Sequence, residues 1–448
     1  MTRSTAGDPA PDAPAVVLDA GTLHASVTSP VLTTMTFLNE ITFRYPDAIS
    51  FAPGRPYEGF FDADDIPRLV QAYIDHLRDS GSSEDEIRTA LFQYGHTAGQ
   101  IRELVAGMLR VDEDIDVPPE SVVVTVGCQE AVLLVLRALC RDPDDVILVD
   151  SPCYVGVTGA ARLLEIPVVA VPGTGSGVDL DALERTVAEL TARGKRVRAL
   201  YVVPDCSNPT GVSMERADRE ALLAAAARLD LLLLEDNPYG LFSGRRRPTL
   251  KSLDERQQVI YLGSFAKSAF PGARVGYVVA DQRVTGLAAD SGPAGDGLLA
   301  AELAKIKSMI TVNTPSVSQA VIGAMLLAGD GGLREANAVA AKHYQDMMGR
   351  IRDGLEREFP AAERPRSQVS WNHPDGGFFL TLDVPFDADD TALDISAREF
   401  GVLWTPMRYF HLGHDGDRQI RLSCSYLTET QVDEGIRRLA AMIRHLST

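Results

Sequence analysis

At 448 residues the chain is longer than one hydrophobic core ordinarily fills, so two or more domains are expected. Apolar residues make up 45% and charged residues 23%, as in an ordinary globular enzyme, and the formal net charge of −19 argues against nucleic acid or an anionic membrane as a partner. The five cysteines are odd in number and lack C-x-x-C spacing, which fits a reducing cytosol better than a disulfide framework or a metal site; with no signal-like segment and no membrane-length apolar run, the expectation is a cytoplasmic protein.

Residues 1–28 are rich in Ala, Pro, Thr and Asp without periodicity and read as a loose arm. Ser29-Pro30 supplies a helix cap and first turn, and Met35, Leu38 and Ile41 recur at helical spacing behind it. An extended segment with two prolines and a glycine, 49–56, is followed by a helix over 65–80. Gln93-Tyr94-Gly95-His96 is then a glycine-bounded loop leading into a helix over 100–109. From residue 120 short apolar runs alternate with helical periods. The strands fall at 122–126, 146–149, 168–171, 199–203, 231–234, 259–262 and 275–279, with helices over 129–140, 156–164, 180–192 and 215–228. This is the pattern of an α/β fold, a seven-stranded, mostly parallel sheet flanked by helices. Only a dozen residues and no helix separate the last two strands, which allows one of them to run antiparallel.

Residues 282–300 read as a Gly/Ala-rich insertion. Helices over 317–327 and 334–359 follow, then strands at 377–382, 402–405 and 419–423 and an amphipathic helix over 429–443. The expected organisation is a large domain, 91–334, and a smaller α+β domain assembled from 29–90 and 335–448.

Parallel sheets place their sites at the carboxyl ends of the strands. Beyond the first strand Gly127-Cys128-Gln129 open a helix, where free backbone N–H groups suit an anion. Later ends deliver Tyr154, then Asn208, then Asp236 and Tyr239, and finally Ser264, Lys267 and Arg274. Taken singly, Asp236-Asn237-Pro238 and Asn208-Pro209 read as turns, Tyr154 as core, and Lys267 as an exposed loop lysine. The tetrad Ser264-Phe265-Ala266-Lys267 also matches the S-x-x-K of penicillin-binding enzymes, but their S-D-N and K-T-G companions are missing from the chain. Together the strand-end residues suit pyridoxal 5'-phosphate. Lys267 offers an amine for its aldehyde, and Asp236 an acid for its ring nitrogen. Asn208 and Tyr239 can donate to its phenolate oxygen, and Tyr154 is a ring to stack on. Gly127, Cys128, Gln129, Ser264 and Arg274 form a cradle for its phosphate.

Through Ser207-Asn208-Pro209-Thr210-Gly211, Glu235-Asp236-Asn237-Pro238-Tyr239-Gly240 and the lysine motif from Ser264 to Gly276, the chain resembles the class I/II aminotransferases of the fold-type I pyridoxal phosphate superfamily. It is similar in particular to the 2-aminoadipate and kynurenine subgroup, sharing the 49–54 segment, Gln93-Tyr94-Gly95 and Ile420-Arg421-Leu422-Ser423. The resemblance implies transfer of an amino group between an amino acid and a 2-oxo acid, in a homodimer with shared sites. It also implies that Arg421 binds the substrate carboxylate and that Tyr94 reaches the neighbouring subunit's phosphate. The chain departs from that subgroup at Cys128, where serine is common, and at Pro53-Gly54-Arg55, which places Gly54 and a cation at the substrate mouth. It departs again at the bulky, polar run from Trp404 to His411. These departures leave room for a specialised biosynthetic substrate. They also leave a second reading on the same cofactor, bond formation by β- or γ-elimination or replacement. A regulator using the fold to sense the cofactor would carry a basic DNA-binding module ahead of it, whereas about 28 acidic-to-neutral residues stand there.

Overall fold

The computed structural model describes residues 16–286, 297–329, 331–413 and 415–447. Most of the expected 282–300 insertion and the first half of the expected arm therefore lie outside the described residues. Residues 16–28 carry two 3-10 turns, Ala20–Thr22 and Ala25–Thr28, whose caps are Asp19 and His24.

The large sheet has eight strands. Across it run Val122–Thr125, Gly276–Val279, Val259–Ser264, Leu232–Asp236, Arg196–Val202, Asp145–Ser151, Val168–Thr174 and Gly177–Val178. The count exceeds the expected seven because Gly177–Val178 folds back as a two-residue hairpin on Thr174, too short to leave a periodic signal. Gly276–Val279 is antiparallel to both of its neighbours. Val122–Thr125 thus points the same way as the parallel strands beyond it, and Gly276 starts its strand at the edge where Thr125 and Ser264 end theirs. This one reversal brings three distant segments together at a single sheet edge.

Alternate residues of each strand pack on opposite faces. Ile147, Val149, Ala199, Tyr201 and Leu234 join helices Gly127–Leu139 and Val155–Leu163 on one side. Val146, Leu148, Leu200, Val202 and Leu233 meet helices Leu180–Ala192 and Arg216–Arg228 on the other. Burial on both faces is why these strands read as continuous apolar runs. The strand carrying the lysine motif runs through Gly263 and Ser264 rather than breaking there. Gly263 pairs with Tyr277, and a Cβ at Gly263 would lie 2.0 Å from the Tyr277 ring.

Residues that follow this body in the chain form a second sheet, in the order Ser370–Trp371, Phe379–Asp383, Gln419–Ser423 and Thr405–Pro406, all antiparallel. Ile49–Ser50 pairs separately with Val402–Leu403. Helices Ala338–Glu358 and Glu429–Leu446 cover this sheet with an apolar cluster that includes the fully buried Trp404. Several elements carried too little pattern to be expected, three of them bearing on the two domains. These are helix Glu84–Phe92, held by a Ser83–Glu86 capping box, helix Leu299–Ser308, and strand Ser370–Trp371. Among the described residues no helix is long and apolar enough to cross a membrane.

Candidate active site

The end of the site at the Gly127 turn is built on backbone. Gly127 opens its helix at φ 72°, and a Cβ there would lie 2.3 Å from Arg274 Nη2. Arg274 itself sits at φ 50°, ending the 3-10 turn Pro271–Ala273. A Cβ at Gly276 would come within 2.6 Å of the Cys128 nitrogen. Only glycine lets the two chain segments approach so closely here. Ser264 caps the short helix Phe265–Ser268, its hydroxyl accepting from the Ala266 N–H at 3.2 Å. The Gln129 side chain is occupied elsewhere, donating to the Gly156 carbonyl at 2.7 Å.

Lys267 Nζ donates to the Gly54 carbonyl at 2.6 Å, joining the lysine motif to the 49–56 segment some 200 residues away in sequence. Withdrawal from water, and then the charges of Arg274, Arg421 and Arg55, bring its pKa down to about 8. An amine so placed sheds its proton more readily than a free lysine, as a nucleophile or proton carrier needs.

Asp236 ends its strand buried. Tyr201 Oη donates to its Oδ2 at 2.5 Å, and the Cys128 thiol lies 3.4 Å from Oδ1. Burial raises its pKa to about 6 against those two donors. The buried Tyr239 and the part-buried Tyr154 have their phenols pushed up by the same withdrawal from water, so both stay protonated.

Arg421 lies in Gln419–Ser423, opposite Thr381 and Thr405. Its Nη1 donates to Asn208 Oδ1 at 2.6 Å and its Nη2 to the Ala52 carbonyl at 2.7 Å and Thr405 Oγ1 at 3.3 Å. The Phe379 and Phe410 rings stand 4.3 and 4.8 Å from its Cζ. It is 3% exposed, Nε has no partner, and burial lowers its pKa to about 10. Among the described residues no carboxylate pairs with it. A buried guanidinium without a counter-ion is costly, and the expense is recovered when a ligand anion arrives.

Arg55 Nη2 donates to Thr42 Oγ1 at 2.9 Å, and its guanidinium covers the Tyr426 ring at 4.8 Å. No ion pair to Glu58 or Asp62 is formed; Glu58 accepts instead from the Tyr426 hydroxyl at 3.2 Å. Arg408 is paired with Asp417 at 2.8 Å, and Trp404 is core. Of that departing run, Thr405 and Phe410 are the residues that touch Arg421. Tyr94 stands apart from these groups on the surface, 82% exposed.

Lys267, Asp236, Asn208, Tyr239, Tyr154, Arg274 and the Gly127 turn therefore converge at one sheet edge, with Arg421 joined to them through Asn208. Sequence reasoning missed Tyr201, Phe410 and the Gly54 carbonyl. Tyr201 alternates correctly with its strand and looks like core, while a carbonyl leaves no mark in sequence. Pyridoxal phosphate fits this donor set. It would meet a buried acid, a buried amine of lowered pKa and a cradle that any Cβ would fill.

Residues 58–439 match the family model "Aminotransferase class I and II". The chain is 50% identical over 427 residues to (S)-3,5-dihydroxyphenylglycine transaminase from Amycolatopsis orientalis, covering 95% of this chain and 94% of that one. It is 29% identical over 408 residues to 2-aminoadipate transaminase from Thermus thermophilus, covering 90% and 91%. Among solved structures, the alpha-aminoadipate aminotransferase from Thermus thermophilus, complexed with N-(5'-phosphopyridoxyl)-L-leucine, matches with a TM-score of 0.76 at 27% identity over 95% of this chain and 98% of that one. The Pyrococcus horikoshii kynurenine aminotransferase, also with a TM-score of 0.76, is 28% identical over 95% of this chain and 96% of that one. The cofactor is pyridoxal phosphate, and the chain belongs to the class I and II aminotransferases.

Proposed function

We propose that this aminotransferase acts on an arylglycine of the dihydroxyphenylglycine kind, or on the matching 2-oxo acid, in a specialised biosynthetic pathway. The observation that carries this reading is the 50% identity to the Amycolatopsis orientalis enzyme along nearly the whole of both chains. The site is compatible with it. Arg421 offers its fork to the α-carboxylate, and the Phe379 and Phe410 rings beside it suit a flat substrate ring. Arg55, at the mouth and held by Thr42 and Tyr426 rather than by an acid, is suited to a polar end such as ring hydroxyls.

When bound, the cofactor supplies an aldehyde that takes up the amino group and a ring that accepts electrons. The protein's part follows from its own groups. Gly127, Cys128 and Gln129 main chain, Ser264 and Arg274 hold phosphate, and Asn208 and Tyr239 donate to the phenolate oxygen. Tyr154 covers the ring face, and Asp236 opposes the ring nitrogen. Lys267 Nζ, of lowered pKa, moves the proton at the substrate's α-carbon.

The second subunit belongs to the same reading. Phe92, Tyr94 and Met309 are 79, 82 and 85% exposed, and covering such large side chains by a second subunit supports a homodimer in which Tyr94 completes the neighbour's phosphate site.

A half-reaction screen tests the substrate. The cofactor-loaded enzyme is mixed with single amino acids, and loss of the bound aldehyde's absorbance is followed. An arylglycine should react at least about tenfold faster than 2-aminoadipate or kynurenine, and Arg55→Leu should narrow that preference. Faster reaction with 2-aminoadipate would overturn the assignment.

A further inference from the structure

Asp236 is gripped on both of its oxygens by side chains that the roles above leave unused. Tyr201 Oη reaches Oδ2 at 2.5 Å, and the Cys128 thiol, beyond that residue's main-chain part in the phosphate cradle, lies 3.4 Å from Oδ1. Tyr201 is 1% exposed in the middle of the large sheet, and it pairs in register with Leu234 on the adjacent strand. Asp236 lies two residues further along, on the same face, and a tyrosine is long enough to span that diagonal. Packing alone would favour phenylalanine at such a position, because a buried hydroxyl is costly unless it is bonded. Among the described residues, its hydroxyl bonds to Asp236. Cys128 reaches the other oxygen from the first turn of Gly127–Leu139.

The other titratable side chains acting on this cluster are Tyr154, ahead of helix Val155–Leu163, and Tyr239, beyond the strand that Asp236 ends; Arg274 faces Cys128. Burial and the nearby Asp236 charge push both the Tyr201 phenol and the Cys128 thiol well up, so each remains a protonated donor. In return both bonds favour the ionised form of Asp236, opposing the effect of its burial.

We propose that Tyr201 and Cys128 are positioning residues that hold the Asp236 carboxylate, one donor on each oxygen, ready for the cofactor's ring nitrogen. The proposal rests on Asp236 being the ring-nitrogen partner. It assigns the substitution of a thiol at position 128 a chemical role that the main chain alone would not need. Cys128 is the weaker donor and Tyr201 the principal one.

The test titrates the full-length chain, freed of cofactor, with pyridoxal phosphate and reads the dissociation constant. Tyr201→Phe should weaken binding about tenfold, the loss expected for a charge-assisted bond. In an Asp236→Asn background the same change should shift affinity less than about twofold, since the two residues act as one unit. Cys128→Ala should weaken binding about threefold, and Cys128→Ser should recover most of that loss. Cys128 is also the one cysteine of the five that is not fully buried. Its alkylation by iodoacetamide in the cofactor-free chain should therefore quicken about tenfold in Asp236→Asn, as the opposing charge is removed. Equal losses from Tyr201→Phe in both backgrounds, or no loss in either, would overturn the role of Tyr201. Unchanged alkylation would overturn that of Cys128, and this measurement stands even if Tyr201→Phe does not fold. Failure of the underlying reading looks different: Asp236→Asn alone would then keep both wild-type cofactor affinity and wild-type turnover.

Discussion

Lys267 is the residue on which the proposed chemistry turns, and it is short of water and close to three arginines. Lys267→Ala should abolish covalent attachment while leaving the phosphate cradle intact. Borohydride reduction followed by peptide mass analysis should label Lys267 in the parent and nothing in the variant; label on any other lysine refutes the assignment. Arg421 serves two purposes, since its fork ties Asn208 and the Ala52 carbonyl together while one nitrogen stays unpartnered. Arg421→Ala should raise the amino-acid KM about thirtyfold, the value of about 2 kcal/mol for one charge-assisted contact. It should also lower the melting temperature, because three internal hydrogen bonds go with it. A large loss of cofactor affinity with an unchanged KM would instead place Arg421 at the phosphate.

The turn from Val122–Thr125 into Gly127–Leu139 is where backbone geometry would set the proposed anion site. At φ 72° a side chain at Gly127 costs roughly 1–2 kcal/mol in strain alone, and its Cβ would also meet the Arg274 guanidinium. Gly127→Ala should therefore weaken cofactor binding by about tenfold or more, with far-ultraviolet circular dichroism unchanged. Full cofactor affinity in that variant would show that the turn is not part of the cradle. Behind this turn Glu130 accepts from the Val126 N–H at 2.6 Å and from the fully buried Lys307 at 2.8 Å. Helix Leu299–Ser308 thus braces the turn from below, a contact between segments 177 residues apart.

The proposed dimer makes a prediction that a single chain cannot satisfy. If Tyr94 completes the partner's site, Tyr94→Ala and Lys267→Ala are each inactive but defective in different places. Mixed and re-associated one to one, they should recover about a quarter of wild-type activity, because half the dimers are hybrids and each hybrid has one site free of both changes. Activity that stays near zero would refute sharing of the site, as would a fully active Tyr94→Ala.

Much of the fold was legible because strands buried on both faces need unbroken apolar runs, and crossover helices need a 3.6-residue period. Those two demands mark the strands from 122 to 279 and the helices between them. The convergence of the candidate residues was legible for a related reason. A parallel sheet puts its strand ends at one edge, so Asp236, Lys267 and Arg274 could be placed there from order alone. Contacts across chain separation were not legible. No local pattern tells that Tyr201 reaches diagonally to Asp236, that the Gly54 carbonyl accepts from Lys267, or that Phe410 stands beside Arg421. Nor does any local pattern tell that Arg55 lies over the Tyr426 ring and donates to Thr42, residues far from it in sequence or on another element. Periodicity is a property of one segment's own burial and survives in the sequence. Register, side-chain reach and the pairing of distant loops are decided only when the whole chain packs.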